Sequence, residues 1–526
     1  MMSFVRHLPM LTVVFTLVCV VLCSVFDRKK ARLTAFICQG VAVVSGILVL
    51  LYALDVGPTI YQMGHLTHVE GDSTVYYWFN NVIRFGVLEG VLAALFPLVM
   101  FFSLLGSLGK LEDDIAPGKE NLYYVLTNLA LVALLALVYA DDVFTGYVFL
   151  EISTLASIGL IAVKDKGRTT VAAIRYMIFN LVGSGTFLIG IVLLYDLTGY
   201  FMFEKIQAVL SALFATGEGT FPAVCAIALI TIGLGIKSGL FPFYFWMADT
   251  YGESTTASAC IISGLISKGY LVLLMKFMLR GYGFSHTVTV DGQTLTYGVL
   301  EQTGILNIVF VLGVFGMIFG SISALFEKRM NKMIAYSSAA QIGYIYLAFG
   351  LGEVGMPAAV FQIIAHTVTK PLLFVSARGL INVSDHRPQF KFLRGSARRN
   401  VPAGIGFFIG AMSMIGFPAT AGFMVKYLFV ETAVNSGVSV TKLLLTIAAL
   451  VISTLLNTGY LIHTVITVYS HQTDATLLPV QPHVKNRPGM VTAIAAFALL
   501  IIILGLVPGI VSLLQTGLDT FGFIAV

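Results

Sequence analysis

Apolar runs of about twenty residues recur from one end of this chain to the other, and no other feature limits its possible folds so tightly. They fall at residues 8–26, 33–54, 84–105, 122–140, 143–163, 170–195, 223–242, 255–279, 303–325, 332–351, 356–381, 402–432, 441–469 and 490–514. Each is about the ~20 residues a helix needs to cross a bilayer. Backbone polar groups in hydrocarbon must be satisfied within the segment, so runs of this length read as helices. Of the 526 residues, 58% are hydrophobic and 11% charged, against about 25% charged in a soluble domain. Chain length alone would suggest several soluble domains; the recurring runs replace that expectation with one all-α polytopic bundle of about fourteen transmembrane helices. The 51 glycines suit such a bundle, since small residues let membrane helices approach closely.

The first run is followed, not preceded, by its charges, Asp27-Arg28-Lys29-Lys30. A cleaved signal has the reverse order, so a retained first helix is expected. With the N-terminus outside, the loops on the other side hold Arg28, Lys29, Lys30 and Arg32, then Lys110 and Lys119, Lys164, Lys166 and Arg168, Lys328, Arg329 and Lys332, Arg387, Lys391, Arg394, Arg398 and Arg399, and Lys485 and Arg487. That is roughly nineteen basic residues inside against about five outside, the asymmetry of positive-inside topology. An even span count places both termini outside. The net charge of +5 belongs to these loops and calls for no nucleic acid. Four regions are expected: 1–121 with three helices and an outer loop, 122–280 and 300–470 with five helices each, and 471–526 with the last helix. The loop at 56–83, with His65, His68, Glu70 and Asp72, reads as an outer cap, and 202–215 as a short interfacial helix. Cys19, Cys23, Cys38, Cys225 and Cys260 lie in apolar runs without CxxC spacing, which offers no metal, iron–sulfur or disulfide framework. No phosphate loop or nucleophile triad is legible, so neither a catalytic site nor a cofactor is expected in this chain.

Spans seven (GLGIKSGLFPFYFWMADTYGES) and twelve (MSMIGFPATAGFMVKYLFVE) each carry a Gly and a Phe-Pro step inside an apolar helix. Proline removes a donor and clashes with the preceding turn. Broken helices persist in membranes only where buried or lining a wet cavity. Two breaks five spans apart predict two five-helix repeats, spans 4–8 and 9–13, the second inverted because five is odd. Charges recur at membrane depth: Glu89, Glu151, Lys237, Lys268, His366, Lys370 and Lys426. Each costs from about 2.5 kcal/mol upward there and usually marks a pathway. Lysine suits proton transfer because burial and a mobile carboxylate partner switch it between holding and releasing a proton. His366 and Lys370, four apart, share a helix face. Glu89, near a span end, is as compatible with a structural part as with a functional one. Lys276 and Arg280, also near a span end, are expected to snorkel to the interface.

These residues resemble the antiporter-like subunits shared by respiratory complex I, Mrp-type cation/proton antiporters and membrane-bound energy-converting hydrogenases. The likeness runs over spans 4 to 13. It is carried by VFLEISTLASIGLIA around Glu151, GLGIKSGLFPFYFWMADTYGESTTASACIISGLISKGYL around Lys237 and Lys268, KRMNKMIAYSSAAQIGY, AHTVTKPLLF and IGFPATAGFMVKYL. The resemblance implies that Glu151 pairs with Lys237, that Lys268 is the central residue, that His366 and Lys370 form a relay and that Lys426 is the exit. It departs at Met247-Ala248-Asp249-Thr250-Tyr251, where the family often has Pro-Asp-Ala-His, and at Gln341, where some members carry histidine. Lys426 argues against the complex I member type with glutamate there, and the chain ends too soon after span fourteen to carry a long lateral helix. The wording LEISTLAS favours the D-type member of Mrp antiporters and its hydrogenase relatives over complex I. The resemblance implies a proton-translocating subunit of a larger complex in an energy-transducing, prokaryotic membrane. Its partners would be other membrane subunits, among them iron–sulfur or nickel–iron ones if the complex is redox-driven, and sodium is the alternative coupling ion. A stand-alone solute carrier would need a mixed polar pocket at the midplane where this sequence offers lysines, and a passive anchor would have no use for them.

Overall fold

The protein is described from a computed structural model, which covers residues 2–63, 81–217, 219–284, 286–290, 293–435, 439–471 and 487–522. The outer-cap histidines His65 and His68, with Glu70 and Asp72, lie outside the described residues. The helices in chain order are α1 (Met2–Val25), α2 (Arg28–Val56), α3 (Val87–Asp114), α4 (Glu120–Tyr139), α5 (Val143–Ala162), α6 (Gly167–Thr198), α7 (Phe203–Thr216), α8 (Thr220–Ser238), α9 (Trp246–Glu253), α10 (Thr256–Tyr282), α11 (Ile305–Phe326), α12 (Met330–Gly350), α13 (Met356–Asn382), α14 (Val401–Ile415), α15 (Ala421–Asn435), α16 (Val440–Tyr469), α17 (Pro488–Leu506) and α18 (Gly509–Gly522).

Among the described residues, twelve helices are long and apolar enough to cross a membrane. The two further spans expected from the sequence are α12, whose Ser, Tyr and Gln content dilutes its hydropathy, and the α14–α15 pair, divided by its break. The short helix expected at 202–215 is α7. The architecture is nearly all-helical. Two small antiparallel hairpins, unforeseen in the sequence, join helix ends: Thr59–Met63 with Asn81–Phe85, pairing Thr59 with Phe85, and His286–Val290 with Gln293–Tyr297, pairing His286 with Tyr297. The second joins two β-prone runs, Thr-Val-Thr-Val and Thr-Leu-Thr-Tyr.

Both expected breaks are present, and they share one local geometry. α8 ends at Gly239, with φ of 86°, and the next amide, Leu240 N, returns to Gly235 O at 2.9 Å. α14 ends at Gly416, with φ of 91°, and Phe417 N returns to Met412 O at 2.9 Å. Only glycine takes that left-handed backbone without cost, and the returning amide satisfies a carbonyl the helix end would leave bare. The Phe-Pro steps then stop the helix from resuming at once. Elsewhere helices approach through glycine: a side chain on Gly233 of α8 would stand 2.7 Å from Phe187 N and 2.8 Å from Gly183 O of α6.

The centre of the bundle is α10 and α13, whose apolar windows are 100% buried, against 28% for α1 at the periphery. α10 contains two π turns, Ile262–Ile266 and Phe277–Tyr282. The first sits against the proline of α13, where a side chain on Gly264 would reach Pro371 Cγ at 3.0 Å. Thus a π turn in one central helix packs on Pro371 inside the other.

Candidate functional site

Each ionisable residue singled out from the sequence is held by a specific element. Glu151 is on α5, Lys237 in the last turn of α8 before its break, Lys268 just beyond the first π turn of α10, His366 and Lys370 on α13, and Lys426 on α15 beyond the second break. Lys237 Nζ lies 3.1 Å from Glu151 Oε1 and donates to Thr154 Oγ1 at 2.9 Å. The lysine is fully enclosed, whereas the glutamate side chain is 29% exposed, so the carboxylate is the end of the pair that opens outward. Ser184 of α6 donates to Glu151 Oε1 at 2.5 Å. Thr154 is within 3.1 Å of the Tyr270 hydroxyl, to which Ser153 also donates at 3.2 Å. Tyr270 offers its ring face to Lys237, 5.6 Å from Nζ to the centroid.

Lys268, entirely buried, has no carboxylate partner among the described residues. Its ammonium donates to Ser263 O at 2.7 Å and Ser267 Oγ at 3.0 Å, groups of its own helix that the π turn presents to it. Ser263 Oγ is 3.1 Å from Ser338 Oγ of α12. The neighbouring Ser337 accepts from Lys370 Nζ at 2.5 Å, and Ile334 O accepts at 3.1 Å. Lys268 is close enough to His366 and Lys370 for charge–charge repulsion between them. His366, 2% exposed, meets no hydrogen-bond partner at either ring nitrogen among the described residues. Instead it faces a cavity of about 20 Å³, with Lys426, Gln341, Gln362, Thr369 and Ser413 around it, enough room for about one water molecule. Gln341, the departure from the family pattern, accepts from Gln362 Nε2 at 2.6 Å in the wall of that cavity. Lys426 Nζ is bonded to Ile415 O, the last residue of α14, and donates to Thr454 Oγ1 of α16 at 2.7 Å. The negative end of a half-helix therefore holds this ammonium.

Five of the six residues thus bond a hydroxyl, His366 being the exception among the described residues, and Lys237 is the only one of the four lysines in a described ion pair with a carboxylate. A buried ammonium bound to hydroxyls and carbonyls can give up a proton without leaving a buried anion behind, so this arrangement can shift positive charge from group to group. The sequence reading missed the hydroxyls Thr154, Ser184, Tyr270, Ser337 and Thr454. Their only signal is position, such as Thr154 one turn after Glu151, since Ser and Thr are common in membrane helices without any such part.

A second cluster corrects the expectation for Lys276 and Arg280. Neither snorkels. Lys276 is fully buried and donates to Leu137 O, Val138 O and Ala140 O at 3.0, 2.6 and 2.6 Å, the bare carbonyl end of α4. Arg280 donates to Asp141 Oδ1 at 2.7 Å and Phe521 O at 2.6 Å and is ion-paired with Glu89. Its guanidinium lies 4.1 Å over the Phe521 ring. Arg84 donates to Thr520 O at 2.8 Å. Snorkelling presumes an open interface, and here α18 and α3 cover it. Glu89 accordingly has a buried structural partner.

Comparison with known proteins adds to this geometry. Residues 140–455, more than half the chain, match the family described as NADH:quinone oxidoreductase/Mrp antiporter, TM. The chain is 29% identical over 475 residues to NADH-quinone oxidoreductase subunit N of Desulforudis audaxviator, with 88% of this chain and 86% of the relative covered. It is 25% identical over 395 residues to F(420)H(2) dehydrogenase subunit N of Methanosarcina mazei, covering 72% and 74%. In fold it is similar to chains of three solved assemblies. They are an archaeal membrane-bound sulfane sulfur reductase (TM-score 0.80, 19% identity, 99% and 97% covered), the Mrp complex of a Dietzia species (0.78, 19%, 98% and 97%) and respiratory complex I from Thermus thermophilus (0.70, 21%, 96% and 98%). The preference for the D-type Mrp member drawn from LEISTLAS is not supported by these sequence relatives, which carry the subunit N name. That stretch holds Glu151 itself together with Ser153 and Thr154, which bond Tyr270 and Lys237. The chain belongs to the NADH:quinone oxidoreductase/Mrp antiporter transmembrane family.

Proposed function

We propose that this chain is a subunit-N-type, proton-translocating module of a membrane complex related to NADH-quinone oxidoreductase, and that protons move along Glu151, Lys237, Lys268, His366, Lys370 and Lys426. The observation that carries the reading is the Glu151–Lys237 pair, with an enclosed lysine and a carboxylate open on one side. A neighbouring subunit pressed against α5 could draw Glu151 away. Lys237 would then release its proton towards Thr154 and Tyr270, and Ser267, one helical turn from Tyr270, leads on to Lys268. Beyond it lie Ser263, Ser338 and Ser337, then Lys370, and finally His366 and Lys426 across their shared cavity. The matching geometry of the two breaks supports an inverted pair of five-helix repeats with one relay in each. Partner subunits, iron–sulfur or nickel–iron ones among them, and an energy-transducing membrane with both termini outside belong to this reading. The closeness of its fold to the Mrp complex keeps one second reading, cation/proton exchange.

Glu151→Gln keeps the shape and removes the charge. In inverted native-membrane vesicles this variant should assemble normally and lose coupled proton translocation. Translocation at the wild-type rate would refute the proposed role of the pair. Mild purification followed by metal analysis separates the two readings: iron among the companions supports the redox complex, and metal-free hydrophobic companions support the exchanger.

A further inference from the structure

A cavity of about 620 Å³ opens between the C-terminal ends of α11 and α16, the start of α12 and the loop after α13. Nearer the bundle centre α11 and α16 are tied together, Ser321 Oγ lying 3.1 Å from Ser453 Oγ and donating to Asn457 Oδ1 at 3.0 Å. Past that tie both helices run on to the face where the basic loops gather, and the cavity lies between their ends. Its volume is in the range of small-ligand sites, roughly 300–1,000 Å³. The walls are apolar: Leu325 and Phe326 of α11 and Met333 of α12 line them. Leu325 and Phe326 are also 40% and 75% exposed, and Ile466 of α16, one turn beyond His463, is 62% exposed. The lining is therefore continuous with the surface that meets the bilayer.

The mouth has the opposite chemistry. Lys328, Lys391 and His463 stand there, all exposed. Among the described residues neither ammonium has a carboxylate partner, and Lys391 Nζ rests 4.8 Å over the Phe392 ring. The carboxylate at the mouth, Glu327, is turned back on its own chain, its Oε1 accepting from Lys328 N and Arg329 N at 2.8 and 3.0 Å. The balance of the mouth stays positive. Its frame is built from backbone: Met330 N donates to Pro388 O at 2.9 Å and Phe390 N to Lys328 O at 3.3 Å, and Arg329 pairs with Gln389 in an antiparallel bridge. These bonds bring together the two segments that carry the lysines. The Phe390 ring meets His463 edge-on, 6.4 Å between centroids.

An apolar slot beneath a cationic rim, at the level of a bilayer's headgroups, fits an anion carried on hydrocarbon. Basic pockets between membrane helices on the positive side hold acidic headgroups in this way. A free phosphate has no use for the walls, and a zwitterionic lipid gains little from the lysines. We propose that this cavity binds an anionic phospholipid, its phosphate held by Lys328 and Lys391 with His463 beside it, and the start of an acyl chain lying against Leu325, Phe326 and Met333. The lipid fills the gap between α11 and α16 and so extends their contact from Ser321 to the membrane surface. This site goes beyond the function proposed above and does not depend on it.

The test is photolabelling of the intact complex in mild detergent by phosphatidylglycerol with a diazirine in its acyl chain, the labelled peptides being located by mass spectrometry. Label should fall on residues 324–333 and 460–466. Excess unlabelled phosphatidylglycerol should displace it, whereas phosphatidylcholine and inorganic phosphate should not. Lys328→Gln combined with Lys391→Gln should weaken this labelling about thirtyfold, from roughly a factor of five for each lysine, while label on α1 stays constant. If that double variant fails to assemble, the competition in wild type decides alone. Equal displacement by phosphatidylcholine would make the cavity an ordinary lipid contact, and displacement by inorganic phosphate a free-anion site. Absence of label, as when another subunit covers the mouth, would mean that no lipid sits there. Each of these three results overturns the proposal.

Discussion

Replacing Arg280 by leucine should reveal how much of this fold hangs on one enclosed guanidinium. The side chain makes three charge-assisted contacts, with Asp141, Glu89 and Phe521 O, inside a protein shell that leaves Arg280 only 3% exposed. Removing one partner of a buried pair costs about 3–5 kcal/mol, because the surviving charge is left unpaired. Here two carboxylates survive, but Arg84 and Lys276 are near enough to share their field, which places the expectation at the low end, about 3 kcal/mol. At about 1.4 kcal/mol per factor of ten, that is more than a hundredfold in the ratio of folded to unfolded chains. The assay is reversible unfolding in mixed micelles on titration with dodecyl sulfate, read by circular dichroism. The decisive comparison is a double-variant cycle. Adding Glu89→Gln to Arg280→Leu removes one stranded charge and should recover part of the loss, although Glu89→Gln alone destabilises. Strict additivity of the two costs would refute the assignment of this cluster as an ion-pair lock.

Two further expectations follow from the packing and the basic face. Gly233→Val drives a side chain into the backbone of α6 at 2.7 Å and should abolish accumulation of folded chain, while Gly185→Val, with nothing within 4 Å, should accumulate like wild type in the same immunoblot. Asp249 lies outside the spans, where burial by itself would raise its carboxyl but Lys332 at 2.7 Å and Arg175 outweigh this and hold it below its ordinary value. A lowered carboxyl stabilises the fold above its unfolded-state pKa and loses that contribution as pH falls through the folded value. Below about pH 4, wild type should therefore lose stability that Asp249→Asn never had, and parallel acid limbs in pH-dependent unfolding would contradict it.

Much of this was legible because lipid imposes strict rules on sequence. Length and hydropathy mark the spans, Gly with Phe-Pro marks the breaks, and each buried charge stands out against an apolar background. What escaped was whatever depends on which helices meet. Nothing local in the sequence says that the carbonyl end of α4 lies on Lys276, so an interfacial lysine and an enclosed one look alike. The same holds for Arg280, whose cover comes from α18, more than two hundred residues away in the chain. Hydroxyls hide for the opposite reason: Ser and Thr satisfy their own helix in most places, as Thr127 does with Tyr123 O at 2.8 Å, so only the fold separates Ser337 from such a residue.

The enclosure of α10 and α13 also bears on how the chain is made. A helix carrying His366 and Lys370 is costly while its flanks face lipid, and α13 leaves the ribosome before α14, α15 and α17, which cover one side of it in the finished bundle. Shelter at that moment can come only from what is already inserted, namely α3, α10 and α12. The order of the helices along the chain is therefore an assembly schedule in which His366 and Lys370 are threaded into a partly built wall. A chain stopped just after Asn382 would leave the His366 side of α13 open to lipid and would be a substrate for membrane quality control, not a smaller pump.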